Sequence, residues 1–278
     1  MLTLGRYHTL TILRNTRSGL FLGDNEGNEV LLPGKFMPEN FEIGQLLEVF
    51  IYLDSGDRPI ATTQKAGATL RSFAPLRVKS LENQGAFLDW GLDKDLFVPY
   101  AEMYHPLRMG ETYLFYVYLD ARTGRLTASA KLDTFTENDT IALAEGEEVA
   151  LRAWEPSELG WKVIINDTYH GLIYHSEIFR PLEVGATCPG YIQAIRSDGK
   201  IDVRLRPPGF AHIADESQRL LAILQAQSGF LTLHDKSPAE AIAESLHMSK
   251  KTFKKAVGIL YKQGLLILEE EGIRLKQS

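Results

Sequence analysis

The chain has 278 residues, 44% hydrophobic and 24% charged, a composition that excludes a disordered or fibrous protein and leaves room for more than one domain of about 100–150 residues. A formal net charge of −6 argues against adhesion to nucleic acid through bulk charge, because nonspecific affinity is built from phosphate neutralisation. A single cysteine, Cys188, excludes a disulfide framework and an all-cysteine metal site and suits a reducing compartment. No run reaches about 18 uninterrupted apolar residues and the N-terminus lacks a charged start before an apolar block, so neither membrane span nor signal peptide is expected, and the expected location is the cytoplasm.

The first 65 residues read as β-structure. Thr9–Leu13, Gly19–Leu22, Glu29–Leu32, Leu46–Leu53 and Ile60–Thr63 are strand candidates, and Asp24–Asn28 is a turn by composition. Five short strands with a loop in place of a long helix predict a small closed barrel. Residues 70–132 repeat the order: Leu76–Lys79, Gly85–Trp90, Leu96–Pro99, Tyr113–Leu119 and Leu126–Ala130, with the apolar Leu76 and Val78 on one face and Arg77 and Lys79 on the other. The polar stretch Asp133–Thr140 reads as a linker. A third copy follows in Glu148–Trp154, Trp161–Ile165, Gly171–Tyr174, Cys188–Ile195 and Ile201–Arg206, and Pro207-Pro208-Gly209 stops it.

Glycines mark the repeat. Gly19, Gly85 and Gly160 each open an apolar run, and each is followed 25 residues later by a second glycine, Gly44, Gly110 and Gly185. Asp54 and Asp120 lie at the same offset in their copies; stabilisation of the turn at the strand end is the commoner role of such residues than metal or acid–base work.

After residue 210 the period changes from two to that of a helix. Leu220, Leu221, Ile223 and Leu224 have helical spacing in Glu216–Ala226. Ser237-Pro238-Ala239-Glu240 carries the serine, proline and glutamate of a capping box and opens a helix to about Leu246. A longer helix spans 250–262 and stops at Gly264, and Leu265–Glu269 with Ile273–Lys276 forms a hairpin, the element order of a winged helix. Lys250, Lys251, Lys254 and Lys255 form one stripe opposite Phe253, Val257 and Leu260, and residues 249–263 contain no acid, whereas residues 138–209 hold eleven acids against seven bases.

The run Gly171-Leu172-Ile173-Tyr174-His175-Ser176-Glu177-Ile178, followed by Val184-Gly185 and a glycine hairpin, resembles the S-one-type RNA-binding barrel. The second copy supplies Gly85-Ala86-Phe87-Leu88, Met109-Gly110, Asp120 and Gly124-Arg125-Leu126 of the same pattern. Three such barrels before a C-terminal winged helix resemble the bacterial conserved virulence factor B family along the whole chain. The resemblance implies a mainly β fold of three tandem five-stranded OB-fold barrels (1–67, 68–136, 137–210) followed by a small α/β winged-helix domain (211–278). It also implies a non-enzymatic, regulatory RNA-binding protein.

In that family an aromatic residue lies two positions after the first glycine and a histidine fourteen after it. Here those positions hold Phe21, Phe87 and Lys162, and Pro33, Pro99 and Tyr174, and the aromatic that precedes the first glycine is replaced by Ser18, Gln84 and Leu159. No copy therefore has the full stacking set; the second retains the most, and Arg77, Lys79, Phe87, Asp120 and Arg125 are its candidate RNA contacts, Asp120 with Arg125 matching a family pair that contacts RNA. Lys162 and Tyr174 are candidates in the third copy, with Trp161 and Arg152 beside them, and Lys250, Lys251, Lys254 and Lys255 are candidate phosphate contacts.

Strand parity favours exposed Phe21 and Phe87 with Leu22 and Leu88 inside, and Trp90, of opposite parity to Phe87, packed inside as well. Tyr113, Phe115, Tyr116 and Tyr118 put aromatics on both faces of one strand, which leaves either an exposed tyrosine or inter-barrel packing. His175 occupies an isoleucine slot and is expected to be a satisfied, partly buried histidine. No phosphate loop, dinucleotide fingerprint or metal spacing is present, so neither enzyme nor cofactor is expected. The expected partner is single-stranded RNA, with no membrane. A module docking to the ribosome or to RNA-processing proteins is the alternative, and DNA recognition ranks third because lysines alone read few bases.

Overall fold

The computed structural model describes residues 2–178, 181–207, 210–246 and 248–276, with backbone alone at 210–215. The chain divides into two compact units, Met1–Leu205 and Arg206–Ser278. Three closed barrels make up the first. Their strands are β1 (Tyr7–Thr16), β2 (Gly19–Gly23), β3 (Glu29–Pro33), β4 (Leu46–Leu53) and β5 (Pro59–Thr62); β6 (Phe73–Glu82), β7 (Gly85–Asp89), β8 (Leu96–Pro99), β9 (Thr112–Leu119) and β10 (Leu126–Ser129); and β11 (Glu148–Ser157), β12 (Gly160–Ile165), β13 (Tyr169–Tyr174), β14 (Thr187–Ile195) and β15 (Ile201–Arg204). In each barrel the first strand pairs antiparallel with the second and fourth, and the third closes the sheet by a parallel pairing to the fifth, as at Leu31↔Ile60, Phe97↔Thr127 and Leu172↔Asp202.

The repeated glycines have two physical roles. A Cβ on Gly19, Gly85 or Gly160 would stand about 2 Å from the carbonyl oxygen of Leu32, Val98 or Ile173 on the neighbouring strand, so only glycine permits this approach. Gly44, Gly110 and Gly185 instead adopt φ of 89°, 85° and 81°, the left-handed region. Each of these second glycines donates its N–H to a first-strand carbonyl, Ile12, Val78 or Ala153, at 2.8 Å. Directly after that residue the first strand bulges, at Leu13, Lys79 and Trp154, which bends it between two partners.

The barrels pack through the outer face of the fourth strand. In β4, Val49 and Ile51 face the barrel interior, yet Phe50 and Tyr52 are also buried; Trp90 of the second barrel meets them edge-on at 5.7 and 6.4 Å. In β9, Phe115 and Val117 are in the barrel core, and Leu114 joins Phe73, Leu132, Trp154 and Ile164 in a cluster shared by the second and third barrels. Tyr116 stacks on Phe135 at 4.3 Å. The two-faced aromatic strand is thus used for inter-barrel packing, and Trp90 is buried as expected but against Phe50 and Tyr52 of the first barrel, because the strand has ended at Asp89.

The stretch expected as a linker is ordered against its neighbours. Leu132–Phe135 is a one-turn helix with Leu132 fully buried, and Asn138 clips to the third barrel by donating to the carbonyls of His170 and Gly199 and accepting from the His170 N–H, all at 2.9 Å. Polar composition misled here because the polar groups satisfy backbone partners of the barrel.

The second unit contains α1 (Phe210–Ala226), β16 (Phe230–Leu231), α2 (Ala239–Leu246), α3 (Lys250–Lys262), β17 (Leu266–Glu269) and β18 (Gly272–Leu275), with a sheet ordered β16–β18–β17. Ser249 caps α3 by accepting from the Thr252 N–H at 3.1 Å, and Gly264, at φ 70°, ends it. The Ser237 hydroxyl accepts from the His234 N–H in the turn before α2.

Two stability experiments follow from this packing. Gly85→Ala should destabilise the protein by at least about 2 kcal/mol in chemical denaturation, whereas Gly34→Ala, where an added Cβ meets open space, should stay within about 0.5 kcal/mol. Burial holds the His170 imidazole below its ordinary value of 6.5, so the unfolded chain takes up a proton that the folded side chain resists. The resulting penalty is absent well above pH 6.5 and grows as pH falls below it; His170→Gln should lose less stability than wild type between pH 7.5 and 5.5.

Candidate nucleic-acid interface

The second barrel carries the best-formed surface. Leu88, Leu96 and Val98 fill its interior, so by strand alternation Phe87 and Phe97 face outward. They pair directly across β7 and β8, with ring centroids 5.2 Å apart and planes at 44°. The two rings line a cavity of about 480 Å³, within the range of about 300–1,000 Å³ for small-molecule sites. Gln84 and Thr123 also line it, Arg122 and Arg125 supply cations, and Tyr52 and Leu53 come from the first barrel.

The turn after β9 orders the polar side of the cavity. Asp120 accepts from the Arg122 N–H and the Thr123 hydroxyl, each at 2.9 Å, and these donors, the Arg122 N–H foremost, hold its carboxyl below the usual range. Asp54 does the same in the first barrel, accepting from the N–H groups of Gly56 and Arg58 at 2.8 and 3.0 Å. The turn role expected for both aspartates is observed. Asp120 and Arg125 meet through backbone, Asp120 N–H to Arg125 carbonyl, while the turn occupies the Asp120 oxygens. The Arg125 guanidinium instead pairs with Asp57 of the first barrel. Asp57 also faces Lys94 at 3.7 Å, and Arg125 before Lys94 holds its carboxyl below the ordinary range. Burial, with Asp93 and Asp54, pushes the Tyr52 hydroxyl up to about 12, so at neutral pH it keeps its proton.

Among the sequence candidates, Phe87, Asp120 and Arg125 thus line one cavity. Lys79 reaches its edge by pairing with the lining residue Asp95 at 2.8 Å. Arg77 is not among the lining residues; its Nε donates to the Gly110 carbonyl at 2.9 Å.

The other two barrels are more occupied. Phe21 is half-buried beneath the Arg14 guanidinium, 4.2 Å from the ring centroid, and Arg14 forms two hydrogen bonds to Glu29. In the third barrel Lys162 binds Glu155 at 2.7 Å and lies 4.9 Å over Trp154, while Arg152 pairs with Asp167 at 3.2 Å. The Tyr174 hydroxyl accepts from Arg196, which also pairs with Asp202 at 2.8 Å. His175 corrects an expectation: it is exposed, because it opens a one-turn helix (His175–Glu177) after β13, where strand parity no longer directs it inward.

On α3, Phe253, Ala256, Val257 and Leu260 are buried, Lys251, Lys254 and Lys255 are exposed and Lys250 is half-buried. Among the described residues none of these four lysines has an ion-pair partner, unlike the cations at the barrel faces.

Comparison with known proteins agrees with this architecture. An S1 domain model matches residues 4–64, and a CvfB-like winged helix domain model matches residues 218–275. Conserved virulence factor B of Staphylococcus epidermidis (strain ATCC 12228) is 24% identical over 247 residues, covering 86% of this chain and 83% of the relative. The chain is similar over most of its length to the conserved virulence factor B proteins. The Staphylococcus aureus (strain USA300) protein of that name is 24% identical over 250 residues, covering 86% of this chain and 82% of the relative. YitL of Bacillus subtilis (strain 168) is 28% identical over 275 residues, or 95% and 91% of the two chains. A solved multidomain protein with nucleic acid binding domains from Streptococcus pneumoniae TIGR4 covers 98% of both chains at 22% identity with a TM-score of 0.41. The matched domains are nucleic-acid-binding types and not catalytic ones. No helix among the described residues is long and apolar enough to cross a membrane.

Sequence reasoning overlooked Phe97, Tyr52 and Asp57. Phe97 was accessible by the parity that exposed Phe87, since Leu96 and Val98 flank it inside the barrel. Tyr52 and Asp57 belong to another copy, and no local pattern connects them to the second barrel's face.

Proposed function

We propose that the protein is a non-enzymatic, cytoplasmic RNA-binding protein that acts after transcription, taking single-stranded RNA chiefly on its second barrel. The observation that carries this reading is the outward Phe87–Phe97 pair over a cavity of about 480 Å³. Aromatic faces of this kind stack bases of any sequence, each for about 1–3 kcal/mol. The first barrel's Phe21 is covered by Arg14, and the third barrel has Lys162 in the equivalent position, so neither offers a comparable floor. Arg122 and Arg125 stand at the cavity for phosphate, with Lys79 at its edge, Arg77 further along β6, and Asp120 holding the turn beneath. Tyr174 and Lys162 are secondary contacts. Lys250, Lys251, Lys254 and Lys255 of α3, unpaired among the described residues, supply phosphate contacts of their own.

The extensive pairing of barrel cations with carboxylates favours a second reading, in which the barrels dock to the ribosome or to RNA-processing proteins and their RNA faces have decayed. Fluorescence anisotropy of labelled single-stranded RNA, duplex RNA and duplex DNA at two salt concentrations separates the readings. Single-stranded RNA should bind best, and Phe87→Ala should weaken it by about 1–3 kcal/mol without unfolding the protein. Replacing the four α3 lysines by glutamine should flatten the log–log salt dependence by up to about 3, at about 0.7 per single-strand phosphate. Failure to bind any of the three at low salt would overturn the RNA reading, and preference for duplex DNA lost only with the α3 lysines would favour a DNA-binding regulator.

A further inference from the structure

The turn between β4 and β5 belongs to the first barrel by sequence, yet its Asp57 lies against the second barrel's cavity. Asp57 holds a left-handed backbone conformation, φ 59°, which a short polar side chain tolerates better than most. Asp54 braces the turn by accepting from the N–H groups of Gly56 and Arg58, and the Asp57 N–H donates to the Asp54 carbonyl at 3.1 Å. The Asp57 carboxylate is thereby presented outward. One of its oxygens meets the Arg125 guanidinium, and the other faces the Lys94 ammonium at 3.7 Å. Both cations line the cavity floored by Phe87 and Phe97. A carboxylate bridging two cations beside stacked aromatics has the arrangement that a phosphodiester would take there, because both oxyanions accept the same charge-assisted hydrogen bonds.

We propose that Asp57 is a specificity-determining residue of the second barrel's site, a carboxylate standing in the phosphate position that a ligand must displace. This rests on the RNA-binding reading and sharpens it. The pair is open to exchange: the Asp57, Arg125 and Lys94 side chains are 43%, 56% and 35% exposed, and ion pairs at such exposure are weak. Nor is the pair needed to dock the barrels. Trp90 packs on Phe50 and Tyr52, and the Gly67 N–H donates to the Trp90 carbonyl at 2.6 Å.

The consequence is a threshold. A phosphate that takes Arg125 and Lys94 must replace an existing partner and then tolerate the freed carboxylate nearby. A simple polyanion with nothing else to offer gains little from that exchange. A single strand whose base also stacks on Phe87 and Phe97 gains the stacking as well. Asp57 therefore selects nucleotides with an unstacked base over polyanions in general.

The test compares wild type, Asp57→Asn, Phe87→Ala and Glu158→Gln. Glu158 is an exposed acid in the turn before β12, and its replacement reproduces the change in net charge away from the cavity. Binding of a labelled RNA of about ten nucleotides is followed by anisotropy across a salt series, with inorganic polyphosphate as competitor. Asp57→Asn should bind about three- to tenfold tighter at low salt, because one local repulsion is removed and Arg125 is released, while Lys94 stays placed at the cavity by donating to the Asp54 carbonyl at 2.7 Å. Its log–log salt slope should steepen by about 0.7, the value for one additional single-strand phosphate contact. Polyphosphate should compete better on Asp57→Asn than on wild type, Glu158→Gln should match wild type, and the thermal midpoint of Asp57→Asn should stay near that of wild type. If Phe87→Ala weakens binding but Asp57→Asn leaves affinity and slope unchanged, or if Glu158→Gln tightens binding equally, the inference falls and the RNA reading stands. If neither wild type nor Asp57→Asn binds RNA at low salt, both fall.

Discussion

The fold depends on a pair of hydrogen bonds made three times. A glycine held at positive φ donates its N–H to the first-strand residue just before a bulge, and that residue donates its own N–H to the residue after the glycine. The distances, 2.8 Å and 2.9 Å, are the same in all three copies. This clasp fixes where the first strand turns from its second-strand partner to its fourth-strand partner, which a closed five-stranded sheet must do. The bulge also sets side-chain parity along the first strand. Lys79, a bulge residue, points to the cavity edge for this reason, while the equivalent Trp154 is buried in the contact between barrels.

Much of this was legible because it is local. A glycine forced by a close strand approach or by positive φ leaves a mark that needs no knowledge of the rest of the chain, and three marks in register reveal a repeat. Strand alternation similarly placed Leu22 and Leu88 inside and turned Phe21 and Phe87 outward. The elements of the winged helix were read from a change of period and from terminal signals. What escaped notice is non-local. The contact between Asp57 and Arg125 joins residues 68 apart in different copies, and in each copy alone both look like ordinary hairpin residues. The stretch 133–140 looked like a tether because its side chains are polar, but Asn138 uses that polarity to satisfy the backbone of another element. His175 followed its motif slot in the sequence, whereas the chain had already left the sheet.

A net charge of −6 and a nucleic-acid-binding architecture are compatible because the two compact units distribute charge differently. At the barrel faces, cations such as Lys79, Lys162 and Arg196 are held by carboxylates at 2.7–2.8 Å, so aromatic and apolar surface offers more to a ligand than free charge does. On α3 the lysines stand without acidic partners among the described residues, as expected for a surface that engages phosphate by Coulomb attraction. On the proposed reading, the barrel face serves contact chemistry and the α3 lysines long-range attraction.

The fourth strand of the first two barrels serves two cores at once. Its inner residues complete its own barrel, and its outer residues, Phe50 and Tyr52 in β4 and Leu114 and Tyr116 in β9, complete the junction with the next. The chain is consequently modular as text but not as material. A fragment ending after the first or second barrel would leave a strip of aromatic and aliphatic side chains facing water, an invitation to self-association. Dissection into single barrels would therefore report on the exposed seam as much as on the barrel.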